Sequence, residues 1–419
     1  MHSRFVKFLV LGAVLLMTLP VVALAQTSRV EGMSIQGDYI KDYTAIYTYT
    51  SQVSNVGNLI YGELGVATGG TPVDRSIGAV MGDWWEGRYG TWAVHMRQFT
   101  PELGQGDATS SPSPGGFGSD PNFNTNEQFD VMWGKKFGTT SFGLQLHRSF
   151  GQLEMDNNPL GFGNVSNLEF DFTQADPNLA RNVFGLGAGL GWEMSPSTNV
   201  EISAHWQSRV FQISDTTGAT VAEEDGRTTF QVAARAWWQW QPNVMVVPVF
   251  KWYSYNLSTA IGNPATVADN TLKGWQVGVA GNWTVGSNDL FILGTTFAQN
   301  RIEQEADIFG FGFDNGDITE NFSPQAFAAL ETHVNNWLTL RFGGNKGAWH
   351  NIEVDDKSTP GNFTIHNSPF SMSLGAGVKV GSLQLDAIMN DAFPHNGLNF
   401  ISGNTTSPLF PKVTATYSF

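Results

Sequence analysis

The sequence predicts an all-β protein, a transmembrane antiparallel β-barrel of about 16 strands within a range of about 14 to 18. Three observations predict it. Apolar and polar residues alternate in successive segments of roughly ten residues. The links between these segments alternate between short turns and longer polar stretches. The chain also ends on an alternating segment, PKVTATYSF, whose last residue is Phe419.

The composition limits the classes of function. Charged residues are 14% of the chain and aromatic residues 13%, a balance that suits many membrane-facing strands better than a soluble globule. The net charge of −15 disfavours a nucleic-acid partner, because phosphates require a basic surface. The absence of cysteine excludes disulfides, thiolate metal sites and a lipidated cysteine.

Residues 1–25 have the pattern of a secretory signal peptide. Arg4 and Lys7 precede the apolar run FLVLGAVLLMTLPVVALA, which ends in the small-residue site Ala23–Ala25. We therefore expect cleavage before Gln26, export, and residence in the cell outer membrane. An uncleaved membrane anchor is the alternative. No later stretch has 18 consecutive apolar residues, so we expect no spanning helix in the mature chain.

Residues 26–56 form a separate N-terminal segment. The stretch GDYIKDYTAIYTYTSQVSNVGNLIYGELG resembles the opening of the long-chain fatty-acid transporter-like barrels, in which an acidic pair and an Ala-Ile-Tyr run precede an Asn-Pro-Ala motif. Asp42 and the run 45–47 fit that order, whereas Tyr-Thr-Ser at 49–51 replaces Asn-Pro-Ala. The resemblance implies a hatch in the lumen. Alternation over 44–50 leaves an extra strand or hairpin as the other possibility.

The barrel itself is predicted to span residues 57–419. A typical strand is RTTFQVAARAWWQW, in which Ala234 belongs to the apolar face and Arg235 to the opposite face. The predicted strands lie near 57–66, 76–84, 89–99, 127–137, 141–150, 182–193, 199–211, 227–240, 244–257, 271–284, 289–300, 323–333, 337–343, 370–380, 382–390 and 409–419.

The links predict short periplasmic turns and long extracellular loops. Short turns fall near 138–140, 195–199, 241–243, 285–288 and 380–382, and the longer polar links are 67–75, 100–126, 151–181, 213–226, 258–270, 302–322, 345–369 and 391–408. The links 213–226 and 302–322 are rich in acidic residues, Glu320 among them. They predict an acidic rim and a modest preference for cations.

The last strand carries a second resemblance. Its apolar face consists of Val413, Ala415, Tyr417 and Phe419. This pattern resembles the bacterial outer-membrane β-barrel proteins, whose last strand commonly ends in phenylalanine as a signal for the barrel-insertion machinery. The resemblance implies that these residues direct assembly, with the insertion machinery and outer-membrane lipid as partners. Because a closed barrel has no free edge, the last strand must pair with the first.

Charged residues in the strands predict the lumen. An arginine or lysine facing lipid at the bilayer centre costs roughly 2–4 kcal/mol, so charges on the strands are expected to face inward. The predicted lumen-facing set is Arg97, Asp130, Lys136, Glu193, Glu201, Arg209, Arg235, Lys251, Glu331, Arg341, Lys379 and Asp386.

These features favour a channel for the passive diffusion of small polar solutes, because the predicted lumen is polar and the strand count is near that of porins. A transporter of hydrophobic compounds resembling the fatty-acid family is the first alternative, and a structural or secretion-accessory barrel is the second. The sequence has no motif for a nucleophile, a catalytic base or a zinc site, so we expect neither enzyme activity, nor a cofactor, nor a bound metal. The oligomeric state is left open.

Overall fold

The structure is a computed structural model that describes residues 28–66, 72–82, 87–97, 128–154, 178–214, 219–256, 259–261, 266–286, 289–305, 315–357, 361–389 and 409–419. Within these ranges the chain forms a closed antiparallel β-barrel. The predicted signal peptide, the predicted links 100–126 and 391–408, and most of 151–181 lie outside the described residues.

The N-terminal segment is helical. A short α-helix, α1 (Ser28–Glu31), is followed by three 3-10 helices at Gly37–Tyr39, Tyr43–Tyr47 and Thr50–Asn55. Asp42 caps the second of these, because its side chain accepts a hydrogen bond from the Thr44 backbone N–H at 3.1 Å. The described part of this segment contains no strand.

After this segment the described residues form twenty strands, and all but two of these belong to one sheet. They are β1 Leu59–Val66, β2 Pro72–Met81, β3 Thr91–Arg97, β4 Gln128–Phe137, β5 Thr140–Glu154, β6 Asn178–Ser195, β7 Thr198–Ser214, β8 Thr220–Gln241, β9 Val244–Asn256, β10 Thr259–Ile261, β11 Thr266–Ala268, β12 Thr271–Val285, β13 Asp289–Gln304, β14 Gly316–His333, β15 Leu338–Gly347, β16 His350–Asp356, β17 Gly361–Asn367, β18 Phe370–Val380, β19 Leu383–Met389 and β20 Lys412–Ser418. Strands β10 and β11 form a separate two-stranded hairpin.

Two pairs of strands each occupy one position in the barrel wall. Strand β14 pairs with β15 along one half of its length and with β16 along the other half. On the side away from β14, β15 pairs with β18 and β16 pairs with β17. Strands β15 and β16 therefore share one position in the wall, and β17 and β18 share the next. The breaks lie beside Pro324 and Pro369, which have no N–H to donate to a neighbouring strand. The 18 strands of the sheet therefore make a barrel of 16 positions, as predicted.

The last strand closes the barrel. Strand β20 pairs with β19 on one side and with β1 on the other, where Tyr417 is opposite Ile60. The Phe419 N–H also donates a hydrogen bond to the Asn58 carbonyl oxygen at 3.3 Å. This closure confirms the predicted pairing of the last strand with the first.

The outer face of the barrel is apolar. On most strands every second side chain is a large exposed hydrophobic residue, as with Val94 and Met96 on β3 or Val277 and Val279 on β12, which are 41–47% exposed. Such a continuous apolar surface is typical of a wall in contact with lipid. Among the residues that the structure describes, no helix is long and apolar enough to cross a membrane.

Several predicted loops are wrong in part, because strands also occupy parts of 67–75, 151–181, 213–226 and 258–270. Strands β13 and β14 extend into the predicted link 302–322, and β16 and β17 lie within 345–369. The apolar residues of these extensions point inward, as shown by buried Ile318 and Phe322 on either side of the outward, partly exposed Thr319. A strand with polar residues on its outer face does not have the apolar outer face that the prediction requires, so the polar residues of these stretches predict loops instead.

Candidate functional site

Residues 28–56, which we call the interior segment, fill the barrel. Their partners lie on strands on every side of the closed wall. Tyr47 bonds to His95 on β3, Thr50 to Ser203 on β7, Asp38 to Lys251 on β9, Tyr39 to Thr296 on β13, and Ser28 to Thr414 on β20. A segment that contacts all sides of a closed wall lies within it.

Apolar packing holds the interior segment in two places. Val30, Met33, Ile35, Tyr39 and Ile40 pack with wall residues that include Trp237 and Phe327. Further along, Ile46, Tyr47 and Val53 pack with wall residues that include Tyr61 and Met132. The inner face of the wall is therefore partly apolar, which the set of predicted charges did not indicate.

Glycines let the backbone of the interior segment approach the wall. A Cβ atom added at Gly143 would overlap with the carbonyl oxygen of Thr50, and one added at Gly343 would overlap with the carbonyl oxygen of Met33. Any larger residue at either position requires the segment or the strand to move. These glycines are therefore part of the surface that receives the segment.

A cation–π contact joins the segment to an ion pair between β3 and β4. Arg97 donates from Nε to Asp130 Oδ2 at 2.7 Å, and its guanidinium carbon lies 3.8 Å from the centre of the Tyr47 ring. Asp130 also accepts a hydrogen bond from Gln145 at 2.8 Å and lies 3.0 Å from His147 Nδ1. The buried charge of Asp130 is thus paired and hydrogen-bonded, as a buried carboxylate requires.

A second contact repeats this arrangement on β7 and β8. Arg235 donates to Glu201 Oε2 at 2.7 Å, and its guanidinium carbon lies 3.9 Å from the centre of the Tyr49 ring. A second nitrogen of Arg235 donates to the Asp38 carbonyl oxygen at 3.0 Å. Trp237 donates from Nε1 to Glu201 Oε1 at 2.9 Å. Both tyrosines therefore lie under arginines that are paired with buried carboxylates.

A third contact lies on β14, β15 and β19. Arg29 donates two hydrogen bonds of 2.8 Å to the two carboxylate oxygens of Glu331, and Arg341 bridges Glu331 and Asp386 at 2.6 Å each. Burial alone would lower the pKa of Arg29, but the hydrogen bond and negative charge of Glu331 raise it above its ordinary value. Arg29 therefore remains charged at all physiological pH values.

The structure places the predicted lumen residues in two groups. Those that are buried are Arg97, Asp130, Glu201, Arg235, Lys251, Glu331, Arg341 and Asp386. Lys136, Glu193 and Lys379 are exposed near the turns, where Lys136 pairs with Glu193. The side chain of Arg209 lies outside the described residues. The buried charges are engaged in ion pairs and contacts with the interior segment, and five of them also border a cavity at one end of the barrel: Glu201, Arg235, Glu331, Arg341 and Asp386.

A cavity of about 1070 Å³ remains at the end of the barrel that carries the short turns at 138–139, 196–197 and 381–382. It lies between the interior segment and the wall. Its lining is polar and of mixed charge, and includes Lys41, Asp42, Gln52, Glu193, His333 and Lys379. The cavity is large enough for water and small solutes, and residues of the interior segment form one side of it.

The far end of the barrel has an apolar inner wall that the sequence prediction missed. Lys251 and Gln276 face inward. Further from the turns, on the same inner face of the wall, one residue from each of five neighbouring strands contributes to a row in which each residue is paired with the next. This row is Tyr255, Leu272, Ile302, Ile318 and Val354. All five are at most 4% exposed. The inverted alternation of 316–322 is the sequence signal that could have revealed it.

No protein-family model and no curated protein sequence matches this chain. Among solved structures, a Pseudomonas aeruginosa FadL homologue is similar with a TM-score of 0.44 and 10% identity over 96% of this chain and 99% of that one. The CymD monoaromatic hydrocarbon channel gives 0.40 and 9% over 96% and 99%, and the P. putida toluene transporter TodX gives 0.39 and 10% over 94% and 98%.

Similarity at this level does not assign a substrate. The architecture rests on the strand pairing itself, a closed antiparallel barrel of 16 positions with an exposed apolar face and a filled interior. This chain is therefore a β-barrel of the outer-membrane type.

Proposed function

We propose that this chain is an outer-membrane transporter for hydrophobic compounds and that the interior segment acts as a hatch that closes it. The observation that carries the proposal is the apolar inner wall beyond the hatch, formed by Tyr255, Leu272, Ile302, Ile318 and Val354. A route for hydrophobic compounds needs such a wall, because apolar surface favours a ligand that leaves water.

The state of the interior supports this proposal over free diffusion of polar solutes. The charged wall residues that predict an aqueous pore form ion pairs with one another or contact the interior segment. Their partners in the segment are Arg29, Asp38, Tyr47 and Tyr49. A porin leaves such charges in water. Here, passage requires the hatch to move or to rearrange.

Uptake by intact bacterial cells tests the proposal. N-phenyl-1-naphthylamine fluoresces when it reaches an apolar phase, and the outer leaflet of the outer membrane slows its entry. We expect cells that produce the protein to take up this probe several-fold faster than cells with an empty vector. Ile318→Asn, which introduces a polar group on the inner wall, should reduce the gain, whereas the outward neighbour substitution Thr319→Asn should not.

The polar cavity at the turn end supports a second candidate, a passive channel for small polar solutes. Liposome swelling with arabinose distinguishes the two. Slow swelling together with rapid uptake of the hydrophobic probe supports the transporter. Rapid swelling without any gain in probe uptake would instead support the polar channel and overturn the proposal.

A further inference from the structure

Five charged side chains form a connected set on the outer face of the barrel, at the end opposite the short turns. Lys273 Nζ on β12 lies 3.6 Å from Glu303 Oε2 on β13, and Arg301 Nε lies 3.5 Å from the other oxygen of that carboxylate. Arg301 also pairs at 3.4 Å with Asp317 on β14, which pairs at 2.9 Å with Lys357 just after β16. We call these five residues the outer charge cluster.

The outer charge cluster points away from the interior of the barrel. The residues next to its members along β12, β13 and β14 are buried on the inner face: Leu272, Ile302 and Ile318. By contrast, the side chains of Lys273, Arg301 and Lys357 are 53%, 58% and 50% exposed. Three basic groups are therefore accessible from outside the wall.

The cluster lies just beyond the apolar band of the barrel. Along the outer face of β12, the exposed Val279 and Val277 are followed by Trp275 and then by Lys273. Lys273 is two residues beyond Trp275, about 7 Å along the strand. Tryptophans at the edge of an apolar band lie at the level where hydrocarbon meets lipid head groups. The cluster is therefore at head-group level, in the leaflet that the sequence predicts to be extracellular.

The strand register brings two of the basic residues together. Lys273 and Arg301 are direct partners across β12 and β13, a position in which like charges destabilise a sheet. Glu303 lies between them at 3.5 and 3.6 Å, longer than an ordinary hydrogen bond. Exposed ion pairs of this kind contribute little to stability. The two cations can therefore exchange this carboxylate for an anion that binds them more strongly.

The surroundings of the cluster also offer hydrogen-bond acceptors. Glu353 and Asp355 on β16 are exposed beside it on the same outer face, next to β14. One row closer to the apolar band, Gln299 Nε2 donates to Asn321 Oδ1 at 2.7 Å. A simple anionic head group has little to donate to these carboxylates, whereas the hydroxyl groups of a sugar do. A ligand that fits the whole surface carries both phosphate and sugar.

We infer that the outer charge cluster binds the phosphorylated sugar head group of a glycolipid in the outer leaflet. Phosphate oxygens accept hydrogen bonds from the guanidinium of Arg301 and the ammonium of Lys273. Sugar hydroxyls donate to the neighbouring carboxylates, and the acyl chains lie along the apolar band over Val277 and Val279. The surface is on the lipid side of the wall, so the inference is independent of the proposed transport route.

Native mass spectrometry of the full-length protein in detergent micelles tests the site. The probes are diphosphoryl lipid A, a glycolipid whose sugar carries two phosphates, and cardiolipin, which has two phosphates and no sugar. We expect lipid A to bind roughly tenfold more tightly than cardiolipin, because its sugar also satisfies the carboxylates. Equal affinity for the two lipids would overturn the glycolipid assignment without any variant.

Variants then locate the site. Lys273→Gln combined with Arg301→Gln should weaken lipid A binding about tenfold, because both phosphate donors lose their charge. The control is Arg88→Gln combined with Lys135→Gln, which removes the same two kinds of charge at the turn end, where Lys135 Nζ donates to the Arg88 carbonyl oxygen at 2.8 Å. This control should bind lipid A like the wild-type protein.

Heat-modifiable gel mobility shows whether both double variants are folded barrels. Unchanged lipid A affinity in the Lys273 and Arg301 variant would contradict the inference. An equal loss of affinity in both double variants would show that net charge, not this surface, holds the lipid.

Discussion

Arg235 on the barrel wall lies over the ring of Tyr49 in the interior segment, with 3.9 Å between the guanidinium carbon and the ring centroid. Arg97 on β3 and Tyr47 repeat the relationship at 3.8 Å, five strands away along the wall. The two tyrosines are two residues apart in the chain. Movement of this part of the hatch must therefore break two cation–π contacts in a buried setting.

Replacing Tyr49 by alanine should loosen the hatch. A desolvated cation–π contact is worth about 2 kcal/mol, which shifts a closed–open equilibrium by roughly 30-fold. In planar bilayers we expect the wild-type protein to conduct rarely and Tyr49→Ala to open much more often. Tyr49→Phe keeps the ring and loses only the hydroxyl bond to Asp38 at 3.1 Å, so its effect should be smaller. Equal opening by both variants would show that the ring contact does not hold the hatch.

A methyl group on the wall should displace the hatch directly. Gly343→Ala places a Cβ atom against the Met33 carbonyl oxygen, so the segment must shift and conductance should rise. Gly62→Ala is the control, because nothing lies within 4 Å of a Cβ atom at Gly62. Both barrels should show the heat-modifiable gel mobility of a folded protein. Identical conductance of the two variants would argue against close packing at Gly343.

The buried pair of Arg235 and Glu201 should matter more for stability than the exposed pair of Lys136 and Glu193. Arg235→Ala leaves Glu201 buried without its cation, which we expect to cost about 3–5 kcal/mol. Adding Glu201→Gln should recover part of the loss. Lys136→Ala should cost about 1 kcal/mol or less because that pair is solvated. Guanidinium unfolding in lipid vesicles measures these differences, and similar costs for both pairs would refute the burial argument.

Assembly should depend on Phe419. Its N–H bonds to Asn58 where the two ends of the barrel meet, and its ring is 60% exposed on the outer face. We predict that Phe419→Asp strongly reduces folded barrel in the membrane fraction, measured by heat-modifiable gel mobility. Ser418→Asp adds the same charge on the opposite face of the strand and should be tolerated. Normal assembly of the Phe419 variant would remove the basis for the predicted assembly signal.

Alkaline pH should release the hatch. Burial raises the pKa of Tyr43, Tyr47 and Tyr49 well above the usual value for tyrosine. Below the ordinary tyrosine pKa of about 10 both folded and unfolded forms are neutral, so the full stability is present. Above about 10 the unfolded chain ionises first, and stability falls as pH rises toward the folded pKa values.

Absorbance of tyrosinate near 295 nm measures this behaviour. The hatch tyrosines Tyr43, Tyr47 and Tyr49 should titrate only together with a cooperative loss of the hatch, because burial raises the pKa of each of them. A single smooth titration of all tyrosines near pH 10 would contradict their burial.

The sequence by itself determined the barrel. Period-two alternation, turn residues such as Gly138 and Gly381, and the terminal strand predicted 16 strands and the pairing of the last with the first. These features are local, because a strand in lipid must present apolar residues on one face, whatever its neighbours are. The same rule predicts that Arg235 and Lys251 face the lumen and that their neighbours in the sequence face lipid.

Only the tertiary structure decided what those charges do. Alternation shows that Arg235 faces inward, but it does not show that Glu201 and Tyr49 occupy the space before it. It also misread 316–322, because beyond the apolar outer band the outward face carries polar residues and the inner face can be apolar. Pairing of Glu320 with His350 and filling of the interior depend on contacts between residues distant in sequence. Such contacts exist only once the barrel has closed.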